Sequence, residues 1–355
     1  MLDDGAAADL LEQMVRIPSL CGQEDEIASL LLFVLERAGF DAARDEAGNV
    51  IGAAGPADAS RSLMFLGHMD TVPGNVRVRR EEGRLYGRGA VDAKGPLATA
   101  LVAAIRAAEC TPLRVNVVGA VQEEGPSIGA RHLAKGASPD FLVICEPSGW
   151  DAVVLGYKGS QRFTVQVGRQ PTHTAHPDPT APERLVAFWN RLVAWCDEQT
   201  DPGARQEFDR VSPTLISMRS DDAELLDLAT MNISLRLPPG VTVETARDGV
   251  RSLLPDDGGE WDLEFSPGED AIRGEKSNEL VAGFLRAIRA ERGTPRFKVK
   301  TGTSDMNVVG PVWRCPMLAY GPGDSHLDHT PNEHIDIDEY LRGIRVLTRV
   351  LEELK

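Results

Sequence analysis

The stretch Ser62-Leu63-Met64-Phe65-Leu66-Gly67-His68-Met69-Asp70-Thr71-Val72-Pro73-Gly74, "SLMFLGHMDTVPG", runs an apolar strand into an imidazole and a carboxylate two residues apart. It then closes on the turn pair Pro73-Gly74. Leu63 to Leu66 are apolar without a break, the signature of a strand buried on both faces. In a continuing strand positions i and i+2 share a face, so His68 and Asp70 point the same way. A metal ligand and the group that orients it are laid out like this. On this stretch alone, a plain polar turn after a strand is the competing reading.

Upstream, "EDEIASLLLFVLERAGF" repeats Ile27, Leu30, Leu31, Val34, Leu35 and Ala38 at helical spacing, with Gly39 as C-cap. Downstream come an alanine-rich helix, "KGPLATALVAAIRAAE", a strand, "LRVNVVGAV", a short helix, "IGARHLAK", and a strand, "DFLVIC". Strands alternating with helices predict an α/β fold with a mixed or parallel sheet covered on both faces. From about Tyr157 the texture changes to an alternating strand, "KGSQRFTVQVGRQ", then a helix around "ERLVAFWNRLVAWC". "TLISMRS", "LATMNISLRLPPG" and the helix "VETARDGVRSLL" complete two strand-helix pairs, which suit a small ferredoxin-like α+β domain. "NELVAGFLRAIRAERG" and "CPMLAY" then resume the α/β texture. The expected organisation is a large domain in two parts, 1–158 and 272–355, interrupted by an inserted domain at 159–271. The last helix opens on "DIDEY", with Asp336 as N-cap and Glu339 completing a capping box.

The bulk numbers limit the function classes. A chain of 355 residues exceeds what one core usually organises, and 42% hydrophobic with 26% charged residues is ordinary soluble composition. No apolar run approaches a membrane span, and the acidic start "MLDDGAAADLLEQMV" is unlike a signal peptide, so a cytoplasmic protein is expected. A net charge of −16 repels nucleic acid and anionic membranes, and neither is expected as a partner. One local exception is "RGTPRFKVK", with Arg292, Arg296, Lys298 and Lys300, which reads as a basic patch or as a charge-protected strand edge. Cys21, Cys110, Cys145, Cys196 and Cys315 are odd in number and scattered, so they read as buried small hydrophobes rather than disulfides or a thiolate site.

The placement at His68 recurs. Asp92 follows "GRLYGRGAV", Glu123 and Glu124 follow "VNVVGAV", and Glu146 follows "DFLVIC". In open α/β sheets ligands bind beyond the carboxyl ends of strands, so these groups converge on one crevice. One imidazole among several carboxylates calls for a divalent cation, and histidine mixed with Asp and Glu suits zinc, cobalt or manganese. The loop "GPGDSHLDHTPNEH" supplies His326, His329 and His334, one of which can complete the set. If Asp92 bridges, two metals can each take one His and one Glu, leaving Glu123 beside Glu124 as a surplus carboxylate, which is what a hydrolytic general base requires.

Taken in order along nearly the whole chain, "GHMDTVPG", "GRGAVDAKG", "QEEGPSIGA", "CEP", "PTHTAHP", "GTSD" and "GPGDSHLDHTPNEH" resemble the motif series of the dinuclear zinc aminoacylase, deacetylase and carboxypeptidase family. That family includes acetylornithine deacetylase and succinyl-diaminopimelate desuccinylase. The resemblance implies two Zn²⁺ ions, replaceable by Co²⁺, with His68 on one, Asp92 bridging both, Glu124 on one, Glu146 on the other, and His329 completing the site. It implies that Asp70 orients His68, that a cis peptide follows Asp92, and that Glu123 moves the proton. His173, rather than His176, falls where relatives carry a histidine that reaches the partner subunit's site to stabilise the oxyanion, which implies a homodimer through the inserted domains. Arg236, Asn232, Thr303 and Ser304 are candidates for holding substrate. "DAELLDLATMNISLRLP" lacks the Asn-x-Ile-Pro segment of many desuccinylases. The resemblance is strongest to deacetylase-like enzymes of lysine and ornithine biosynthesis, some of which release the amino acid from a small acidic carrier protein. An N-acylated amino acid, free or carrier-borne, is therefore the expected substrate. For a carrier, the run to Lys300 offers one basic wall, and Lys158, Arg162, Arg169 and Arg184 the other. The rivals are a simple acetylornithine deacetylase or dipeptidase and, from another class, an inactive metal-binding assembly protein.

Overall fold

A computed structural model describes residues 2–171, 173, 176–223 and 226–354. The chain forms two compact units, one of Met1–Gly156, Gly274–Val299 and Ser304–Lys355, the other of Tyr157–Arg273 and Lys300–Thr303. The first opens with α1 (Asp4–Arg16), α2 (Asp25–Arg37), β1 (Asp41–Arg44), β2 (Val50–Ala54) and β3 (Ser62–His68). A hairpin of β4 (Arg79–Glu81) and β5 (Arg84–Tyr86) precedes α3 (Lys94–Ala107), β6 (Arg114–Ala120), α4 (Ile128–Leu133), β7 (Phe141–Ile144) and β8 (Ala152–Tyr157). The inserted unit runs β9 (Gly159–Arg169), α5 (Ala181–Glu198), β10 (Ser212–Ala223), β11 (Leu226–Leu237), α6 (Val243–Ser252), β12 (Glu260–Phe265) and β13 (Ile272–Arg273). The chain then resumes with α7 (Glu279–Ala290), β14 (Arg296–Lys300), α8 (Asp305–Trp313), β15 (Met317–Ala319), β16 (His334–Asp336) and α9 (Ile337–Glu353).

The large sheet has the order β1-β2-β6-β3-β7-β15-β8. At its centre β3 lies parallel to both β6 and β7, and β15 lies parallel to β7. After β6 the chain crosses to the other side of β3, which makes the carboxyl end of β3 a topological switch point where ligands bind. The apolar run is the reason β3 sits there: Leu63, Phe65 and Leu66 are fully buried. Helix α3 is buried all round, as its alanine-rich sequence requires, and packs against β3, α1 and α9. A Cβ at Gly67 would stand 2.8 Å from the Cβ of Cys145 and 3.3 Å from that of Leu97, so only glycine lets β7 and α3 close on the strand that carries His68.

The inserted unit is a four-stranded antiparallel sheet, β10-β11-β9-β12. Together with α5 and α6 it gives the β-α-β-β-α-β order of a ferredoxin-like domain, with its own core of Phe163, Val165, Leu185, Phe188, Met231 and Ile233 among others.

Several expectations need correction. Helix α1, capped by the Asp3 side chain on Ala6, precedes the helix read as first. Cys21 and Cys110 are exposed rather than buried. Asp336 caps α9 through Glu339 N, but the Glu339 carboxylate accepts from Trp150 N and Gly323 N instead, so no reciprocal capping box forms. Asp92 does not follow a sheet strand directly: it lies in the loop between β5 and α3.

Candidate metal centre

His68 ends β3 fully buried, and four carboxylates meet its ring. Its Nε2 lies 3.2 Å from Asp92 Oδ1, 3.7 Å from Glu146 Oε1 and 3.9 Å from Glu123 Oε2. On the far side of Asp92, His329 Nε2 lies 3.0 Å from Asp92 Oδ2 and 3.0 Å from Glu124 Oε1. Two donor sets therefore share one carboxylate, His68–Asp92–Glu146 and Asp92–Glu124–His329, each with its ligand atoms within 4.8 Å of one another. Glu123 groups with His68 and Glu124 and is the carboxylate outside the two sets. His326 is exposed in a short 3₁₀ turn and joins neither.

Asp70 meets His68 through its backbone as well as its carboxylate. His68 Nδ1 makes its short contact, 2.9 Å, with the Asp70 backbone carbonyl, while the carboxylate stands 3.5 Å away. The two Asp70 carboxylate oxygens also accept from the consecutive amides of Glu123 and Glu124, at 3.0 Å each. One buried carboxylate thus fixes both glutamates, in a turn where Gln122 and Ser127 both have positive φ.

A second buried carboxylate was invisible in the sequence reading. Glu333, fully buried, accepts from Val91 N at 3.0 Å and Asp92 N at 3.2 Å, and Arg88 Nη1 lies 2.6 Å from its other oxygen. It therefore clamps the loop of His329 to the loop of Asp92, whose peptide to Ala93 is cis. The only sequence signal was its place in "HTPNEH", where the histidines drew the reading. Lys94, also buried, donates from Nζ to the carbonyls of Met14 and Ile17, at 3.1 and 2.6 Å, and anchors the end of α1. From that segment Ser19 Oγ donates to Met69 O at 2.7 Å.

The electrostatics follow from crowding. Burial opposes charge on His68, but Asp70 and Asp92 raise its pKa well above the ordinary imidazole value. Hydrogen bonds to Asp92 and Glu124 push His329 up to about 10. Burial, joined by repulsion from Glu146, Asp305 and Glu124 against the pull of His68, drives Glu123 well above the usual carboxylate range. Burial opposes ionisation of Asp92, yet His329 and His68 hold it below that range. Two nitrogen-and-oxygen donor sets sharing one carboxylate, with histidines whose proton affinity is raised by the acids around them, fit a pair of divalent ions. A further trio, Cys21, Glu24 and Asp70, lacks that character. Burial and the nearby Asp70 raise the Cys21 thiol, and Glu24 is occupied by the amides of Gly22 and Gln122.

The remaining expected residues lie as follows. Ser304 is buried and caps α8, with Asn307 returning the bond to its amide. In the inserted unit, His173 is exposed and lines a cavity of about 460 Å³ with His176 and Arg184, while Thr172, Thr174 and Ala175 of the same motif lie outside the described residues. Both ends of the Asn232 amide are taken up by Thr164 and Ser217 across the sheet. Arg236 donates to Thr303 Oγ1 at 3.4 Å. The expected basic walls are largely spent within the fold. Arg296 pairs with Asp151, Lys298 donates to Ser148 O, Lys158 is fully buried against Glu207 and Ser212, Arg169 bonds the carbonyl of Pro179, and Arg184 pairs with Asp257.

Comparison with known proteins agrees with this architecture. Residues 64–353 match the sequence profile of peptidase family M20/M25/M40. The chain is 45% identical to a LysW-lysine hydrolase of Deinococcus radiodurans, over 99% of this chain and 98% of that protein. It is 29% identical to a LysW-lysine/LysW-ornithine hydrolase of Saccharolobus islandicus, over 82% and 81%. Its fold is shared with a tripeptidase of Staphylococcus aureus, at a TM-score of 0.82 and 18% identity over 100% of this chain and 99% of that one.

Proposed function

The chain belongs to peptidase family M20/M25/M40 and is a metal-dependent amidohydrolase, and from that premise we propose that it releases lysine, or ornithine, from an amino-group carrier protein by hydrolysing the amide that joins them. The substrate assignment is supported by full-length similarity to a LysW-lysine hydrolase, and the chemistry by one observation: His68 and His329 flank opposite oxygens of Asp92 while Glu123 stands outside both donor sets. His68, Asp92 and Glu146 would hold one Zn²⁺, and Asp92, Glu124 and His329 the other, with Co²⁺ as a substitute. Held there, two such ions would supply Lewis acidity to the amide carbonyl and to the attacking water. Glu123, whose proton affinity burial raises, takes the proton from that water and returns it to the leaving nitrogen. Asp70 holds Glu123 in place through its amide. Arg236 is suited to a substrate carboxylate, and His173 to the developing oxyanion of a partner subunit's site.

A homodimer through the inserted unit is supported by β10. This twelve-residue edge strand exposes Leu215, Ile216 and Met218, a row that a second copy can cover. No helix among the described residues is long and apolar enough to cross a membrane; a cytoplasmic enzyme is proposed on the likeness to a LysW-lysine hydrolase.

The deciding experiment assays purified, zinc-loaded protein against LysW-lysine, LysW-ornithine, N-acetyl-lysine, N-acetyl-ornithine and N-succinyl-diaminopimelate. Preference for the carrier conjugates is the expected result. Activity confined to the small amides would replace this reading with that of a free-amino-acid deacetylase.

A further inference from the structure

The segment Arg77–Arg88 holds five arginines and two glutamates in a chain that otherwise carries a large acidic excess. It forms β4 and β5, which with β16 make a three-stranded sheet in the order β16-β5-β4. That sheet is built on the metal-site loops: the chain enters it from the Asp70 loop, leaves it for the Asp92 loop, and returns as β16 five residues after His329. Arg88 ties the pieces together, with Nε 3.3 Å from Gly74 O and Nη1 2.6 Å from Glu333.

The register separates the two faces. Arg80, Leu85 and Ile335 form one row; Leu85 and Ile335 are buried, and Arg80 pairs with Asp9 and Glu12 of α1. The neighbouring rows, Arg79–Tyr86–His334 and Glu81–Arg84–Asp336, therefore face outward. On that face the Arg79 guanidinium lies 3.8 Å over the Tyr86 ring with its Nε 3.0 Å from Glu81, and the Tyr86 ring lies 4.8 Å from His334. This stack holds a cation in place before any partner arrives. Arg77 and Arg84 are exposed and have no ion-pair partner among the described residues.

Resting on the carrier reading above, we propose that this outward face, Arg77, Arg79 and Arg84 with Tyr86 and His334, docks an acidic polypeptide that presents the amide to the metal site. The argument is charge complementarity at a fixed place. Elsewhere the net charge of −16 repels an acidic partner, and in the run Arg292–Lys300 Lys298 is drawn onto Ser148 O while Arg296 pairs with Asp151. An exposed guanidinium cluster on the site's own loops steers such a partner while leaving small neutral amides indifferent.

The test uses the full zinc-loaded protein and the double variant R77E/R84E, at exposed positions that touch no site residue. With LysW-lysine the KM is expected to rise by about tenfold or more, from loss of steering, with kcat unchanged. The wild-type kcat/KM for LysW-lysine falls as salt rises and the variant's does not fall, while N-acetyl-lysine kinetics and melting temperature do not change. An unchanged KM for LysW-lysine in the variant overturns the docking face and leaves the carrier reading standing. A wild-type enzyme inert toward LysW-lysine but active on N-acetyl-lysine removes both.

Discussion

Asp92 and Glu123 are both carboxylates in one cluster, yet their surroundings give them different work. Asp92 offers an oxygen to each histidine, whereas Glu123 keeps a raised proton affinity and stands outside the shared sets. Glu123→Gln should therefore keep about two metal ions per chain and lose turnover by about 10²–10⁴-fold, the range of a general base. Asp92→Ala should lose metal as well, and metal analysis by mass spectrometry beside kcat separates the two. An emptied site in Glu123→Gln would reverse the roles. Glu333 gives a subtler case, because it bonds amides rather than ions. Glu333→Ala should leave the partly buried Arg88 beside an empty space and loosen the Asp92 loop, lowering stability by roughly 2–4 kcal/mol, somewhat less than a fully buried broken ion pair. Urea denaturation measures this, and a loss below 1 kcal/mol would show the clamp idle. His68 and the glutamates were legible in the sequence because ligand types stood after apolar strands, and Asp92 because a carboxylate stood just before the alanine-rich helix. Glu333 and the amide partners of Asp70 were not, since a carboxylate that bonds backbone amides leaves no pattern in composition or spacing.

At the scale of elements, periodicity and apolar runs identified α2, α3, β3, β6, β7 and the ferredoxin-like order, because burial imposes those patterns. They missed α1, whose buried face of Ala7, Leu10, Leu11, Met14 and Val15 sits in the acidic start weighed only as a targeting signal, and β4–β5, which are three residues each and, among the described residues, pair only with one another and with β16. The basic walls failed for a related reason. A lysine that folds inward looks like any other in sequence, and Lys158 lies fully buried at the start of the inserted unit, its Nζ 2.9 Å from Glu207 O. Burial lowers its pKa to about 8, from 10.5 for an ordinary lysine. Below about 8 it is protonated in folded and unfolded chain alike. Between about 8 and 10.5 the unfolded state binds more protons, so this group makes folding more favourable as pH rises through that window. In Lys158→Met that increment should vanish. The difference in unfolding free energy between wild type and Lys158→Met, taken at pH 7.5 and at pH 10, is expected to move in favour of the wild type. A pH-independent difference would mean that the ammonium is not desolvated.

For the whole molecule, metal and proton compete for the same atoms. His329 binds an ion only through a neutral nitrogen, yet Asp92 and Glu124 hold its pKa near 10 in the bare site. Loading the site near neutral pH therefore expels protons, and apparent affinity should rise with pH, by about tenfold per unit for each proton released. The metal-free fold has the opposite slope. His329 gains its pKa on folding, so the stability it contributes is fully present below 6.5, its unfolded value, and is lost as pH rises through about 10. Raising the pH thus weakens the bare chain while tightening the ions that bind only the folded state, which stabilise it by about 2.7 kcal/mol at a hundredfold excess over Kd. The gap in melting temperature between zinc-loaded and chelated protein should widen steadily from pH 6.5 to pH 9. In His329→Ala the widening should shrink, whereas His326→Ala, outside both donor sets, should behave as wild type. Calorimetric titration with zinc in buffers of different ionisation enthalpy counts the protons directly. Zinc uptake without proton release, or a gap that narrows as pH rises, would show that the histidines are already neutral in the bare site and that charge crowding does not prepare it for metal.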